Sequence, residues 1–409
     1  MPITQVELGR RIRVARESCA LTQQQVAERI GLSRSTIVQI EKGSRSVSSL
    51  ELDQLAYLLG RDIRDLVAES FEERSPLAAL FRAEADVLDQ PLVADAIRAC
   101  VALGREVRNL ERLLGIELAD RTTAAYPMPT PSSRWEAIQQ GDRIAREERR
   151  RLGLGAAPLP DLVELLDTQG VRAGLVDLPN DVSGLTLNDD DHGLFVIVNR
   201  THHVLRRRFS FAHEYAHVLI DRDRFGLVSR SSDRENVVEV RANAFAAAFL
   251  MPEEGVRDYL AGLGKGGTSR PSSEVFDESA SIRVEGRAAP GSQAVQLYDV
   301  VQLAHHFSVS RIACLYRLKN HRILTDAELD ELRKSDSARG REIADALGLP
   351  EPNHEEARNW FRHRVLGLAL EAYRREEISR GKLVELAAKL GIERDQASLL
   401  LDDARLGEP

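Results

Sequence analysis

Residues Phe209–Asp221 read FSFAHEYAHVLID, a His-Glu-x-x-His pattern set in an otherwise uncharged run. On a helix, residues four apart share a face, so His213 and His217 present two imidazoles to one point. Glu214, next along, points at whatever is held there. Imidazole suits zinc, and catalytic zinc keeps one position open for water. With ten histidines in the chain the bare pattern can arise by chance. Its surroundings argue otherwise. Phe211, Ala212, Tyr215, Ala216, Val218 and Leu219 are uncharged, so the helix reads as buried. Two imidazoles and a carboxylate in such an interior are costly without a metal or partners.

A catalytic zinc takes three protein ligands. The longer signature with Gly and a third His is absent, because Ile220 and Asp223 stand at those places. The third ligand is sought in SSDRENVVEVRANAFAAAFLMPEE (Ser231–Glu254). Ser232 with Glu235 is expected to form a capping box that opens a helix from about Asp233 to Met251. Glu239, Ala242, Asn243, Ala246 and Phe249 then share one face, and a lone acid above two alanines implies a buried task. Glu235 on the preceding turn is the alternative. Asp221 and Asp223 follow the first helix too closely. The reading is one zinc on His213, His217 and Glu239, with Glu214 as general base. For the group that stabilises the developing oxyanion, His202 and His203 are the only nearby suggestion, and a loop role suits them better.

The N-terminal part has another character. Helices are expected over Gln5–Ser18, from Thr22 to Gly31, from Ser33 to Lys42-Gly43, from Ser48 or Ser49, and over Asp62–Val67. In LTQQQVAERIGLSRSTIVQIEKG (Leu21–Gly43), Ala27 is small where two helices would cross and Gly31 permits the turn. Arg34, Ser35 and Thr36 bring polar side chains to the start of the third helix, the end that enters a major groove. Arg34 suits guanine and Gln39 adenine. Gln23, Lys42 and Arg45, with Arg16, are placed for phosphates.

The 409 residues call for two to four domains, and 43% hydrophobic with 29% charged residues is ordinary for a globular chain. No apolar run nears the roughly 20 residues that span a bilayer, and no signal peptide is visible. Cys19, Cys100 and Cys314 are widely spaced, which fits a reducing cytoplasm. A net charge of −8 does not exclude DNA as a partner.

The fold class expected is mainly α with a small β-sheet. A five-helix DNA-binding head fills 1–70 and a helical linker or dimerisation region 71–125. In that linker Val93, Ile97, Cys100, Val107, Leu110 and Leu114 form a stripe suited to another helix or a second copy. The Pro, Thr and Ser cluster Thr122–Trp135 marks the boundary to a peptidase domain, 126–263. There, two β-like runs, Gly170–Leu178 and Gly193–Arg200, flank a Gly, Asn and Asp-rich turn region. Residues 264–293 read as a flexible insert and 294–409 as helical.

The paired segments RRRFSFAHEYAHVLID (Arg206–Asp221) and EVRANAFAAAFLMP (Glu239–Pro252) resemble the ImmA/IrrE group of bacterial metallopeptidases. The likeness extends to GLTLNDDDHGLFVIVN (Gly184–Asn199) and DVVQLAHHFSVSRIACLYRL (Asp299–Leu318). It implies zinc on His213, His217 and Glu239, Glu214 as base, and a regulatory protein such as a repressor as substrate. Tyr215-Ala216 replaces the family's usual Leu-Gly. The N-terminal segment resembles the XRE/Cro-like helix-turn-helix repressors, with Gln24, Ala27, Gly31, Ser33, Ile37 and Glu41-Lys42-Gly43 in the family's places; this implies dimers on operator DNA. The functional expectation is a cytoplasmic regulator that cuts a regulatory protein under stress or DNA damage. The rival is a DNA-binding repressor whose zinc fold senses without hydrolysis.

Overall fold

The computed structural model describes residues 3–61, 63–69, 71, 91–116, 123–159, 161–189, 193–223, 226–233, 235–265, 272–277, 280–285, 293–350, 356–393, 395–396 and 399. Five helices open the chain: α1 (Gln5–Ser18), α2 (Gln23–Arg29), α3 (Arg34–Glu41), α4 (Ser49–Leu58) and α5 (Ile63–Val67). Thr22, Ser33 and Ser48 cap the second to fourth by accepting the N–H of Gln25, Thr36 and Glu51. Gly31 takes φ +70°, the left-handed conformation that the turn between α2 and α3 requires. Helices α1 and α3 nearly touch, since a Cβ on Gly9 would lie 2.3 Å from the Ile40 carbonyl.

Helix α6 (Pro91–Leu113) follows. Its apolar stripe is buried inside the chain. Ala94, Ile97 and Val101 lie in one cluster with the head and the outer face of a β-sheet, while Leu110 and Leu114 meet residues near the C-terminus. The linker before Pro91, and the side chains of Val93 and Cys100, lie outside the described residues.

The sheet comprises β1 (Val171–Val176), β2 (Val182–Asp189), β3 (Gly193–Asn199) and β4 (Gly226–Arg230), in the order β1-β3-β2-β4. β1 runs parallel to β3, and β2 is antiparallel to both β3 and β4. Two of these strands correct the sequence reading. The supposed turn region holds β2, a central strand, and β4 had not been foreseen. Alternation explains the miss: Leu185 and Leu187 bury on one face, whereas Gly184 and Thr186 occupy the other and look like loop residues.

On the inner face, Val171, Ala173, Val196 and Val198 pack with α7 (Arg134–Arg151), α8 (Leu162–Thr168), α9 (Val204–Ile220) and α10 (Val237–Leu250). α10 starts later than expected. Asn236 is its cap, accepting from Val238, and Ser231–Asp233 is a 3₁₀ turn. The boundary segment is strapped onto the end of α9, with Tyr126 N–H donating to Leu219 O (2.7 Å) and Arg222 donating to Thr123 O (2.8 Å).

Helix α11 (Glu253–Gly262) leads to the region read as a structureless insert. Its described residues form an antiparallel hairpin, β5 (Ser272–Asp277) with β6 (Ala280–Glu285). Then come α12 (Leu297–His306), α13 (Arg311–Asn320) and α14 (Asp326–Ala346), whose Val300, Leu303, Phe307, Cys314, Leu315 and Leu318 complete the inner core. α15 (Glu356–Arg374) and α16 (Arg380–Lys389) close on the end of α6. Among the described residues, no helix is long and apolar enough to cross a membrane.

Helices α7 and α10 meet at a glycine. A Cβ on Gly141 would lie 2.4 Å from Arg241 O and 2.8 Å from Phe245 N, both backbone atoms. Gly141→Ala should therefore destabilise the chain by about 1–3 kcal/mol through overpacking, read as a lowered denaturant midpoint. The control is Gly262→Ala, where nothing lies within 4 Å; equal midpoints for the two variants would refute the close approach.

Candidate metal centre and nucleic-acid interface

His213 and His217 lie one turn apart on α9 and are buried, and Glu239 lies in the first turn of α10. The two helices cross so that the three meet. His213 Nε2 is 3.1 Å from Glu239 Oε2, His217 Nε2 is 3.4 Å from Glu239 Oε1, and the two Nε2 atoms are 3.3 Å apart. Their donor atoms all fall within 4.8 Å of one another. Among the described residues this is the one such group that could hold a metal ion. Glu235, the alternative ligand, is exposed and paired with Arg134 at 2.6 Å. Among the described residues, His305, His306 and His321 join no ligand cluster.

The outer imidazole nitrogens are held from behind. Asn243 Oδ1 lies 3.1 Å from His213 Nδ1, and Asp221 Oδ2 lies 2.9 Å from His217 Nδ1. Arg241 donates to the other Asp221 oxygen (2.6 Å) and to Gln140 Oε1 (3.2 Å). Such partners fix ring orientation and keep both Nε2 atoms aimed at a metal position. Sequence reasoning set Asp221 aside as a ligand but did not see it as a support; a carboxylate four residues past a ligand His was the available signal.

Glu214 is fully buried. Thr186 of β2 donates to its Oε2 at 2.7 Å, while Oε1 has no hydrogen-bond partner. A Cβ on Gly184 would stand 2.8 Å from that oxygen, so only glycine leaves it space. Desolvation raises the carboxyl's pKa above its usual range. Ser229 of β4 reaches His213 Nε2 at 3.2 Å. Thr186 and Ser229 were not foreseen, and a hydroxyl on a strand carries no signal of its own. His202 and His203 serve elsewhere. His202 is buried with Nε2 3.2 Å from Asn180 O, and His203 caps α9. A His2Glu donor set with supported imidazoles and an orphaned carboxylate oxygen beside it fits a divalent metal. Tyr215, at the position where the sequence departs from the family's motif, donates to the buried Glu148 at 2.5 Å.

In the head, Arg34, Ser35, Gln39 and Lys42 are exposed on or just after α3, with Thr36 half-buried. Ser33 Oγ lies 2.8 Å from both Ser35 Oγ and Thr36 Oγ1. Gln23 donates to Glu41 (2.8 Å) and Arg45 to Glu51 (2.8 Å), so both are braced from within. Arg16 differs from expectation. It turns inward, donating to Glu41 Oε1 (2.6 Å) and Leu21 O (2.8 Å), and joins α1 to α3 instead of facing a phosphate.

Burial works against a charged His217. The bonds to Asp221 and Glu239 outweigh it and push its pKa from 6.5 up to about 10. Burial would raise Glu239, yet the two imidazoles hold it far below the usual carboxylate range. A metal must therefore displace the His217 proton at neutral pH. Zinc affinity should fall about tenfold for each unit of acidification below that value, with about one proton released per ion near neutrality. Calorimetry in buffers of different ionisation enthalpy reads this; zinc uptake without proton release would contradict it.

The family described as IrrE N-terminal-like domain, of the M78 peptidase type, matches residues 172–281. A helix-turn-helix domain family matches residues 7–69. The chain is also 43% identical over 51 residues to an uncharacterised HTH-type transcriptional regulator of Methanothermobacter thermautotrophicus, covering 12% of this chain and 74% of that protein. The chain belongs to the helix-turn-helix transcriptional regulators and carries an IrrE-like domain in the same polypeptide.

Proposed function

We propose that the chain is a DNA-binding regulator whose zinc endopeptidase centre cuts a regulatory protein, in the manner of a stress response. The supporting observation is the convergence of His213, His217 and Glu239 beside a buried carboxylate with one unpartnered oxygen. Zinc at this place supplies a Lewis acid that activates water and polarises a peptide carbonyl. Thr186 fixes one oxygen of Glu214, leaving Oε1 to take a proton and pass it to the leaving amine. The raised pKa of Glu214 brings it closer to neutral working pH. Ser229, on the neighbouring strand β4, is within reach of the same space.

The head supplies the address. Operator DNA lies against Arg34, Ser35, Thr36 and Gln39 in this reading, with Gln23, Lys42 and Arg45 at phosphates, and two copies pair on two half-sites. With the apolar stripe of α6 buried within the chain, the contact between copies uses another surface. A second reading is favoured by one observation, the 0% exposure of Glu214: a metal-bearing sensor that does not hydrolyse.

Glu214→Gln separates the two. Under the peptidase reading it keeps zinc and lowers cleavage of neighbouring regulatory proteins by about 10²–10⁴-fold, followed by mass spectrometry with and without chelator. If the unaltered protein carries zinc and shifts DNA yet leaves every such protein whole, the sensor reading stands. For the head, Arg34→Ala should cost about 1–3 kcal/mol of discrimination at one base position, and binding by the unaltered head should weaken steeply with salt. Gel-shift titrations over a salt series measure both, and a flat salt dependence would remove the DNA assignment.

A further inference from the structure

His213 and His217 belong to a longer line of side chains. Residues 206, 210, 213 and 217 follow one another at spacings of four, three and four, so Arg206 and Ser210 share the metal-facing side of α9. Along that line the exposure changes in one direction. The His217 side chain is 0% exposed and that of His213 6%, Ser210 is buried, and Arg206 is exposed. The line therefore reaches solvent towards the N-terminal end of α9. At roughly 1.5 Å per helical residue, Arg206 stands about 10 Å from His213 along the axis. An extended peptide covers that distance in about three residues.

Among the described residues Arg206 makes no hydrogen bond or ion pair. The nearest titratable neighbour is the buried His202, which lies against Asn180 O at 3.2 Å. Burial first, and then the Arg206 charge, hold that imidazole below its ordinary range, so it stays neutral and offers no counter-charge. The acids that flank Asn180 are already taken. Arg200 donates to both oxygens of Asp177 (2.7 and 2.6 Å), and Arg230 pairs with Asp181 at 3.3 Å. The guanidinium of Arg206 is thus an unmatched cation on the face that carries the two imidazoles.

We infer that Arg206 determines specificity: it pairs with an acidic side chain carried two to four residues to one side of the peptide bond to be cut. The inference rests on the peptidase reading and names the sequence preference of that same site. A guanidinium presents several N–H donors in the geometry a carboxylate accepts, and a basic peptide side chain there would meet like charge. Since the pair forms at an exposed position, its worth is that of a surface ion pair, about fivefold in affinity at most.

The test incubates the full zinc-loaded chain with peptides from a digested bacterial proteome and reads the residues around each cut by mass spectrometry. Asp and Glu should be enriched up to about fivefold at one position two to four residues from the cut. Arg206→Gln should erase the enrichment, raising KM for an acid-bearing peptide with kcat unchanged. Arg206→Glu should turn the preference towards Lys and Arg. Arg206 is exposed, so both variants should keep the melting temperature of the unaltered chain. Cut sites without acidic preference, or the same preference in Arg206→Glu, would overturn the assignment. If nothing is cut, the peptidase reading fails and capture decides on Arg206 by itself. Immobilised Glu214→Gln chain loaded with zinc should retain acid-bearing peptides over their amide counterparts, and should lose that selectivity when Arg206→Glu is added. Equal retention of acid and amide peptides would remove the role given to Arg206.

Discussion

Everything in the middle of this chain follows from a group of ionisable side chains enclosed where α9 crosses α10. His213, Glu214, His217, Asp221, Glu239 and Arg241 are all buried. Charges taken out of water are tolerated only when paired and hydrogen-bonded. Here the pairing runs as a chain, Gln140 to Arg241 to Asp221 to His217, with Asn243 behind His213. Each bond spends an outer donor or acceptor and leaves the inner nitrogens facing one another. The packing around the chain serves it. Ala242 and Ala246 keep α10 slim, Gly141 lets α7 come to the backbone of α10, and Tyr215, Phe245 and Phe249 stack behind the site.

The sheet contributes through its two faces. Along β2, Gly184 and Thr186 face Glu214, while Leu185 and Leu187 face away into the cluster that includes the head. A one-residue slip of this strand would put leucines against the carboxylate and a threonine into apolar packing. The antiparallel pairing of β2 with β3 and β4 fixes that register, and places Ser229 of β4 on the same wall as Thr186.

How far the sequence reveals this depends on whether local rules or tertiary contacts decide each residue. The helices of the head are legible because Thr22, Ser33 and Ser48 are real caps and the apolar spacing is regular. Glu239 is legible for a related reason, standing as the single acid on a face of small residues. β2 is not, because its inward positions line a polar site and so lack the apolar side chains that announce a strand. The start of α10 misleads: Ser232 and Glu235 have capping-box spacing, but Glu235 pairs with Arg134 on α7 and Asn236 takes the cap. Arg16 misleads in the same way. A basic residue near a DNA-binding surface reads as a phosphate contact, yet the buried Glu41 claims it. Each error arises where a partner distant in sequence outweighs the local pattern.

The same logic explains why the head and the IrrE-like domain are not beads on a string. Arg98 of α6 donates to Leu58 O at the end of α4 and lies 5.4 Å from the centre of the Tyr57 ring. Two turns on, Gly104 faces Phe195 of β3, whose ring would stand 1.9 Å from a Cβ there. Further along, the buried Glu111 receives Arg172 of β1 and Arg364 of α15. One helix thus grips the head at its start, the sheet at its middle and the C-terminal helices at its end. To separate the head from the sheet would expose Ala94, Ile97, Val101, Leu185, Leu187 and Phe195 together. Burial of apolar surface at roughly 25 cal/mol per Å² makes that costly. The outer face of the sheet is therefore an interior surface among the described residues, and the strand that holds Glu214 in place is shared between the candidate metal centre and the support of the DNA-binding head.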